Sequence, residues 1–271
     1  MSRLHARTKA QLEVLAQQSP HAILLHGQWG SGVSAAAREL ALKLTAASYI
    51  HAVEPEKSGI TIEQVRNLYV LTRSSSQVRR VFVLEAADQM SHPAQTAFLK
   101  LLEEPTANTS FLLVSHEPEK LLPTIHSRVQ SVEILPLETN ATNQLLDELG
   151  MTDSKVRAQL VFIADGLPDE LEKLAMDEAY RADQFELARL AKGLIAGSLF
   201  DKLKTANQLS TDRGRAKEAV HISARMLAAE IARLPEEPAL LRLLQAALRA
   251  QEAINANGNV KAQLLRFVMT T

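Results

Sequence analysis

The chain has 271 residues, 46% hydrophobic and 23% charged, with a formal net charge of -1 and no cysteine. This near-neutral balance excludes a global electrostatic pull onto nucleic acid or an anionic membrane, so any such contact has to come from a local patch or from partners. The missing cysteines exclude a disulfide framework and a thiolate metal site. No apolar run approaches the roughly 20 residues that span a bilayer, and the opening Met1–Arg7 carries no signal-peptide core, so a cytoplasmic, non-membrane protein is expected.

Aromatic residues make up only 4% of the chain, which favours helices packed on helices around a modest sheet. Residues 4–18 read as an amphipathic helix with Leu4, Leu12 and Leu15 on one side, ended by Ser19-Pro20. A buried strand, Ala22-Ile23-Leu24-Leu25, leads into a glycine-rich loop and a helix from Ser34 to Leu44. His51 to Gly59 reads as a loop. Thr61 stands at an N-cap position and opens a helix carrying Val65, Leu68 and Leu71. A second strand, Val81 to Leu84, is followed by a helix capped by Ser91, with Pro93 in its first turn and Pro105 beyond its end. A third strand, Phe111 to Val114, exits through Pro118 and Pro123, and a short strand-like piece runs from Val132 to Leu135. The alternation through residue 136 predicts an open parallel α/β sheet. Beyond it the pattern is helical: 138–150, 153–164 and 168–180, then further helices broken near Gly197-Ser198, Thr211-Asp212 and Pro235–Pro238. The expected domains are 1–136 (α/β), 137–182 (a small helical lid) and 183–271 (a helical tail).

The loop reads Gly27-Gln28-Trp29-Gly30-Ser31-Gly32-Val33-Ser34. Its strand–loop–helix setting is that of a phosphate cradle, in which glycines turn backbone N–H groups inward at the positive end of a helix. Val33 stands where the lysine for the β- and γ-phosphates belongs, while Ser34 keeps the hydroxyl that would touch magnesium. The second strand ends Leu84-Glu85-Ala86-Ala87-Asp88. Glu85 falls at the magnesium-holding position, and Ala86 at the position of the base that would activate water, which alanine cannot do. Two catalytic positions are therefore empty, and hydrolysis by this chain is not expected. For the glycines alone, a tight turn that lets helix pack on sheet is the plainer account. For Glu85 and Asp88 it is a polar strand end.

Ser127-Arg128-Val129 follows Leu121-Leu122-Pro123-Thr124-Ile125. A lone arginine is ordinarily a surface ion-pair partner, but one at a subunit edge can reach a neighbour's γ-phosphate and stabilise transition-state charge. Here the surrounding sequence adds weight. The run Gln95-Thr96-Ala97-Phe98-Leu99-Lys100-Leu101-Leu102-Glu103-Glu104-Pro105, then Asn108 to Val114, then Pro118-Glu119-Lys120-Leu121-Leu122-Pro123-Thr124-Ile125 and Ser127-Arg128, resembles the clamp-loader branch of the AAA+ superfamily. Within it the chain looks like the delta-prime group of the bacterial DNA polymerase III loader. The segment Asn255 to Lys261 with Leu264-Leu265 is similar to the end of the collar domain in that group, so the resemblance spans essentially the whole chain.

The resemblance implies a P-loop (AAA+) domain, a helical lid and a C-terminal collar. It implies a non-catalytic subunit of the loader, with Arg128 acting in trans as an arginine finger. The implied partners are the motor (gamma/tau) and delta subunits and, through the complex, the sliding clamp and primer-template DNA. Gly166-Leu167-Pro168-Asp169 aligns with the helix start that carries a sensor arginine in motor subunits, and Asp169 cannot fill that role. The four-cysteine zinc segment usual in the family is absent, so neither zinc nor bound ATP is expected. Phosphate contacts on the inner ring face would fall to Thr61 and Arg66, with Arg73, Arg79 and Arg80 nearby. The histidines, His21, His26, His116 and His126 among them, form no helical metal pair. Two rival readings remain at this point. One is an active ATPase with its cation supplied by Lys43 or Arg38; the other is an AAA+-derived interaction module outside replication.

Overall fold

A computed structural model of the chain describes residues 3–57, 59–73 and 77–270. Met1 and Ser2 of the opening segment lie outside the described residues. The chain divides into two compact units, Met1–Glu172 and Lys173–Thr271.

The first unit runs α1 (Ala6–Gln18), β1 (Ala22–His26), α2 (Val33–Leu44), β2 (Ile50–Val53), α3 (Ile62–Arg73), β3 (Arg80–Leu84), α4 (His92–Glu103), β4 (Thr109–Ser115), α5 (Pro123–His126), β5 (Gln130–Glu133), α6 (Thr139–Glu148) and α7 (Ser154–Ala164), followed by the start of α8 (Pro168–Met176). Its five strands lie in the order β2-β3-β4-β1-β5, every pair parallel. Helical crossovers between parallel strands cover both faces of such a sheet, which explains the continuous apolar runs of the central strands. Successive side chains alternate between faces. Leu24, Phe82, Leu84, Phe111 and Leu113 pack with Leu68 of α3 and Phe98 of α4 on one side. Ile23, Leu25, Val81, Val83, Leu112 and Val114 pack with α1 and α2 on the other. Leu4, Leu12 and Leu15 are all buried, as the helical spacing predicts.

Local signals set most element ends. Thr61 and Gln64 form a reciprocal capping box: the Thr61 N–H donates to Gln64 Oε1 at 2.9 Å, and the Gln64 N–H donates to Thr61 Oγ1 at 3.3 Å. The Ser91 hydroxyl accepts the Ala94 N–H. Two expectations need correction. The stretch read as a loop from His51 begins with strand β2, which pairs with β3 from Ile50↔Val81 to Val53↔Leu84. Its residues are half-buried or exposed at the sheet edge, so the strand has no apolar run to announce it. The expected helix 168–180 ends at Met176, because Asp177 leaves the helical conformation and accepts the Tyr180 N–H as the N-cap of the next helix.

The second unit contains α9 (Glu178–Ile195), α10 (Leu199–Leu209), α11 (Arg213–Arg233), α12 (Pro238–Asn255) and α13 (Val260–Val268). Residues 182 and 183, where a domain boundary was expected, both lie inside the unbroken α9. Ser198, Asp212 and Asn259 cap their helices by accepting the N–H three residues on. The core is mostly aliphatic, with Leu187, Leu190, Ala219, Val220 and Leu264 buried beside the aromatic Phe267. The Ser223 hydroxyl donates to Ala191 O at 2.9 Å and so ties α11 to α9. No helix among the described residues is long and apolar enough to cross a membrane.

Candidate functional site

The glycine loop joins β1 to α2 at the carboxyl edge of the sheet, where parallel α/β folds bind ligands. Gly30 and Gly32 adopt φ of 83° and 81°, a left-handed backbone that side chains rarely tolerate. At Gly27 the limit is space: a Cβ there would lie 2.8 Å from the Ile134 carbonyl oxygen. Val33, in place of a lysine, is 1% exposed and belongs to the apolar layer under α2. The position is therefore a packing site as well as a missing charge.

The Ser34 hydroxyl donates to Glu85 Oε2 at 2.7 Å, so the structure brings together the two residues expected to face a magnesium ion. Arg38, one turn along α2, sets Nη2 3.4 Å from Glu85 Oε1 and 4.0 Å from Glu54. The exposed Arg38 guanidinium thus stands beside the buried Glu85 carboxylate. Ala86 has a positive φ of 52° and offers no proton acceptor. Asp88 is buried and accepts the His116 N–H at 3.2 Å, which pins the end of β4 to the turn after β3. His116 in turn places Nδ1 2.9 Å from Gly27 O and stacks on Trp29 with ring centroids 3.8 Å apart. The Trp29–His116 stack is not visible in sequence, since 87 residues separate the two rings.

The start of α8 packs on the same loop. The Asp169 N–H donates to Gly30 O at 3.1 Å. Its carboxyl pKa is pushed up, first by burial and then by Glu172; the Gly32 N–H, Arg3 and His116 oppose this. His26, at the end of β1, has its pKa lowered chiefly by burial.

Arg128 lies elsewhere. It follows the single-turn α5, whose Ile125 is fully buried and anchors it. The guanidinium donates to Thr124 O at 3.0 Å and to the Ser127 hydroxyl at 3.1 Å, and pairs with Glu103 at 2.8 Å. Gln95 of α4 braces this turn: its amide donates to Met90 O and Lys120 O, and its Oε1 accepts the Leu122 N–H at 2.8 Å. Arg128 precedes edge strand β5, which runs parallel to β1 with Gln130 opposite Ile23. It thus sits at the amino edge of the sheet, roughly 15–20 Å by strand rise from the chain's own loop at the carboxyl edge. A side chain cannot span that distance.

Thr61 and Arg66 stand at the start of α3. The Thr61 hydroxyl is engaged in the capping box, and Arg66 is exposed. The other basic residues of the expected patch are committed to the fold. Arg79 donates to Ser19 O and to the Ser110 hydroxyl. Arg80 donates to the carbonyls of Leu71 and Thr72 at the end of α3. Arg73 lies over the Tyr69 ring at 4.4 Å. Arg79 and Arg80 therefore cannot be counted as free phosphate ligands; sequence alone does not distinguish a solvent-facing arginine from one that satisfies carbonyls.

A family model described as DNA polymerase III, delta subunit, matches residues 43–138, a stretch that holds both Glu85 and Arg128. The chain is 33% identical over 184 residues to a DNA polymerase III subunit delta' of Pseudomonas aeruginosa, covering 58% of this chain and 56% of the relative. It is 30% identical over 132 residues to the subunit delta' of Bacillus subtilis, covering 48% and 40%. The chain thus spans about half the length of the curated relatives it matches. Among solved structures, the crystal structure of the FIGL-1 AAA domain aligns over 68% of this chain and 74% of its own, at a TM-score of 0.50 and 17% identity. That likeness concerns the fold alone, an AAA+ α/β domain.

Proposed function

We propose that this chain, which belongs to the delta-prime branch of the AAA+ clamp-loader family, is a loader subunit that hydrolyses no ATP and lends Arg128 to a neighbour's nucleotide. The position of Arg128 carries the reading. It lies at the amino edge of the sheet, remote from its own glycine loop, so a nucleotide within its reach must sit on another molecule. The pair with Glu103 is partly exposed and weak, of order 0–1 kcal/mol, so it yields readily to a γ-phosphate. Silence at the chain's own site is supported by Val33 and Ala86, which lack the ammonium and the base of an ATPase, and by Arg38, whose charge is already directed at Glu85.

In this reading the partners are the gamma/tau motor and delta subunits of the loader, acting on the clamp and primer-template DNA. The C-terminal helices form the collar that joins the subunits, and neither zinc nor ATP is held by this chain. The test is a loader reconstituted with Arg128→Ala. One hydrolytic site should lose its finger, and DNA-stimulated clamp loading should fall by about tenfold or more. Loading and hydrolysis at wild-type rates would remove the assignment.

A further inference from the structure

The loop has kept the shape of a phosphate cradle, although its lysine is gone. Gly30 and Gly32 hold the left-handed backbone, α2 opens at Gly32 with no side-chain cap, and the Ser31 hydroxyl is buried within the loop without a hydrogen-bond partner. Helix N-termini of this kind attract anions through unpaired N–H groups and the helix dipole. A cradle left in this form and standing empty would be expected to retain some affinity for phosphate.

The anion position is nonetheless claimed from within the chain. Asp169, in the first turn of α8, sets its carboxylate beside Gly32: its Oδ1 lies 3.8 Å from the point a Gly32 Cβ would occupy. Its own N–H donates to Gly30 O at 3.1 Å, so a main-chain bond fastens this residue to the loop with its carboxylate beside Gly32. Pro168 closes on Gly32 at 3.5 Å, and Leu167 and Glu170 close on Gly30. On the outer side Arg3 pairs with Glu172 at 2.6 Å, both lining the cleft that contains Gly32, Ala35 and Asp169. An incoming polyphosphate would meet a carboxylate where it needs donors, with Glu172 close behind.

We propose that Asp169 is an internal occupant of the phosphate cradle, a tethered carboxylate that holds the loop shut against nucleotide. The inference rests on reading the loop as the remnant of a nucleotide site and not on the role of Arg128. Loss of the lysine makes a cradle weak, whereas a tethered anion makes it occupied. Tethering gives the carboxylate a high effective concentration at the loop, so free phosphate competes poorly.

The full-length chain tests this with inorganic tripolyphosphate, followed by calorimetry and by the fluorescence of Trp29, the single tryptophan, which lies within the loop. Asp169→Ala should bind tripolyphosphate at least tenfold more tightly than the unmodified chain. Asp169→Asn, which keeps the side-chain shape and so protects the fold, should gain affinity in the same direction. Asp169→Glu, which retains the charge, should stay close to the unmodified chain. If neither Asp169→Ala nor Asp169→Asn binds more tightly than the unmodified chain, the proposal is overturned. The readout needs no partner subunit, so its failure would leave the Arg128 experiment untouched, and the reverse also holds.

Discussion

Val33 stands where a phosphate-binding lysine was expected, and the structure makes it a core residue. Its side chain is 1% exposed, in the buried cluster that also holds Leu4, Ala36, Ala37 and Ile23 and Leu25 of β1. Restoring the lysine by Val33→Lys should therefore not restore turnover. Ala86 would still lack a proton acceptor, and the ammonium would start from an apolar site without a partner. The expected outcome is no measurable ATP hydrolysis and a loss of about 2 kcal/mol or more in denaturant unfolding, the scale of a poorly compensated buried polar group. A variant that hydrolyses ATP, or that is as stable as the parent, would contradict this account. Asp169 raises a separate pH question. Its folded pKa lies above the unfolded value, so its contribution to stability is fully present below the unfolded pKa and is lost as pH rises through the folded one. Asp169→Asn is accordingly expected to be the more stable protein at neutral pH, seen as a higher thermal midpoint, with the advantage vanishing in acid.

At the scale of elements, the bracing of α5 matters most. This single turn is too short to hold itself, and buried Gln95 fixes its approach by two bonds, to Lys120 O and from the Leu122 N–H, while a third holds Met90 O before α4. Gln95→Leu keeps the volume but leaves two carbonyls and one N–H without that partner. It should cost about 2–3 kcal/mol in denaturant unfolding. In a reconstituted loader it should weaken clamp loading in the same sense as Arg128→Ala, but less. A stability change without any effect on loading would mean that the turn does not position Arg128 for the proposed role. The elements themselves differed in how legible they were. Strands β1, β3 and β4 are buried on both faces and show as unbroken apolar runs. Edge strand β2 (Ile-His-Ala-Val) is partly exposed, and only pairing with β3 makes it a strand. Asp177 looks like any acidic residue in a helical stretch until its side chain turns to cap α9.

For the whole molecule, the formal charge of -1 and the engagement of Arg79 and Arg80 in the fold leave a thin basic surface near α3. The isolated chain is expected to bind primer-template DNA no more tightly than about 10⁻⁴ M at physiological salt, the weak end of non-specific affinity. Fluorescence anisotropy checks this, and micromolar binding by the chain alone would show that the surface around Thr61 and Arg66 acts without partners.

The sequence by itself determined the class of fold, the absence of a lysine at Val33 and of an acid at Ala86, and the run around Arg128 that resembles clamp-loader subunits, because each is written in local apolar runs, glycine spacing or contiguous residues. Tertiary structure alone decided that Arg128 lies at the sheet edge opposite its own loop, that Arg38 stands beside Glu85, and that Asp169 reaches Gly32 across more than 130 positions of chain. These are matters of which strand edges and helix ends meet, and that depends on the packing of the whole sheet with its helices, which no short window of residues encodes.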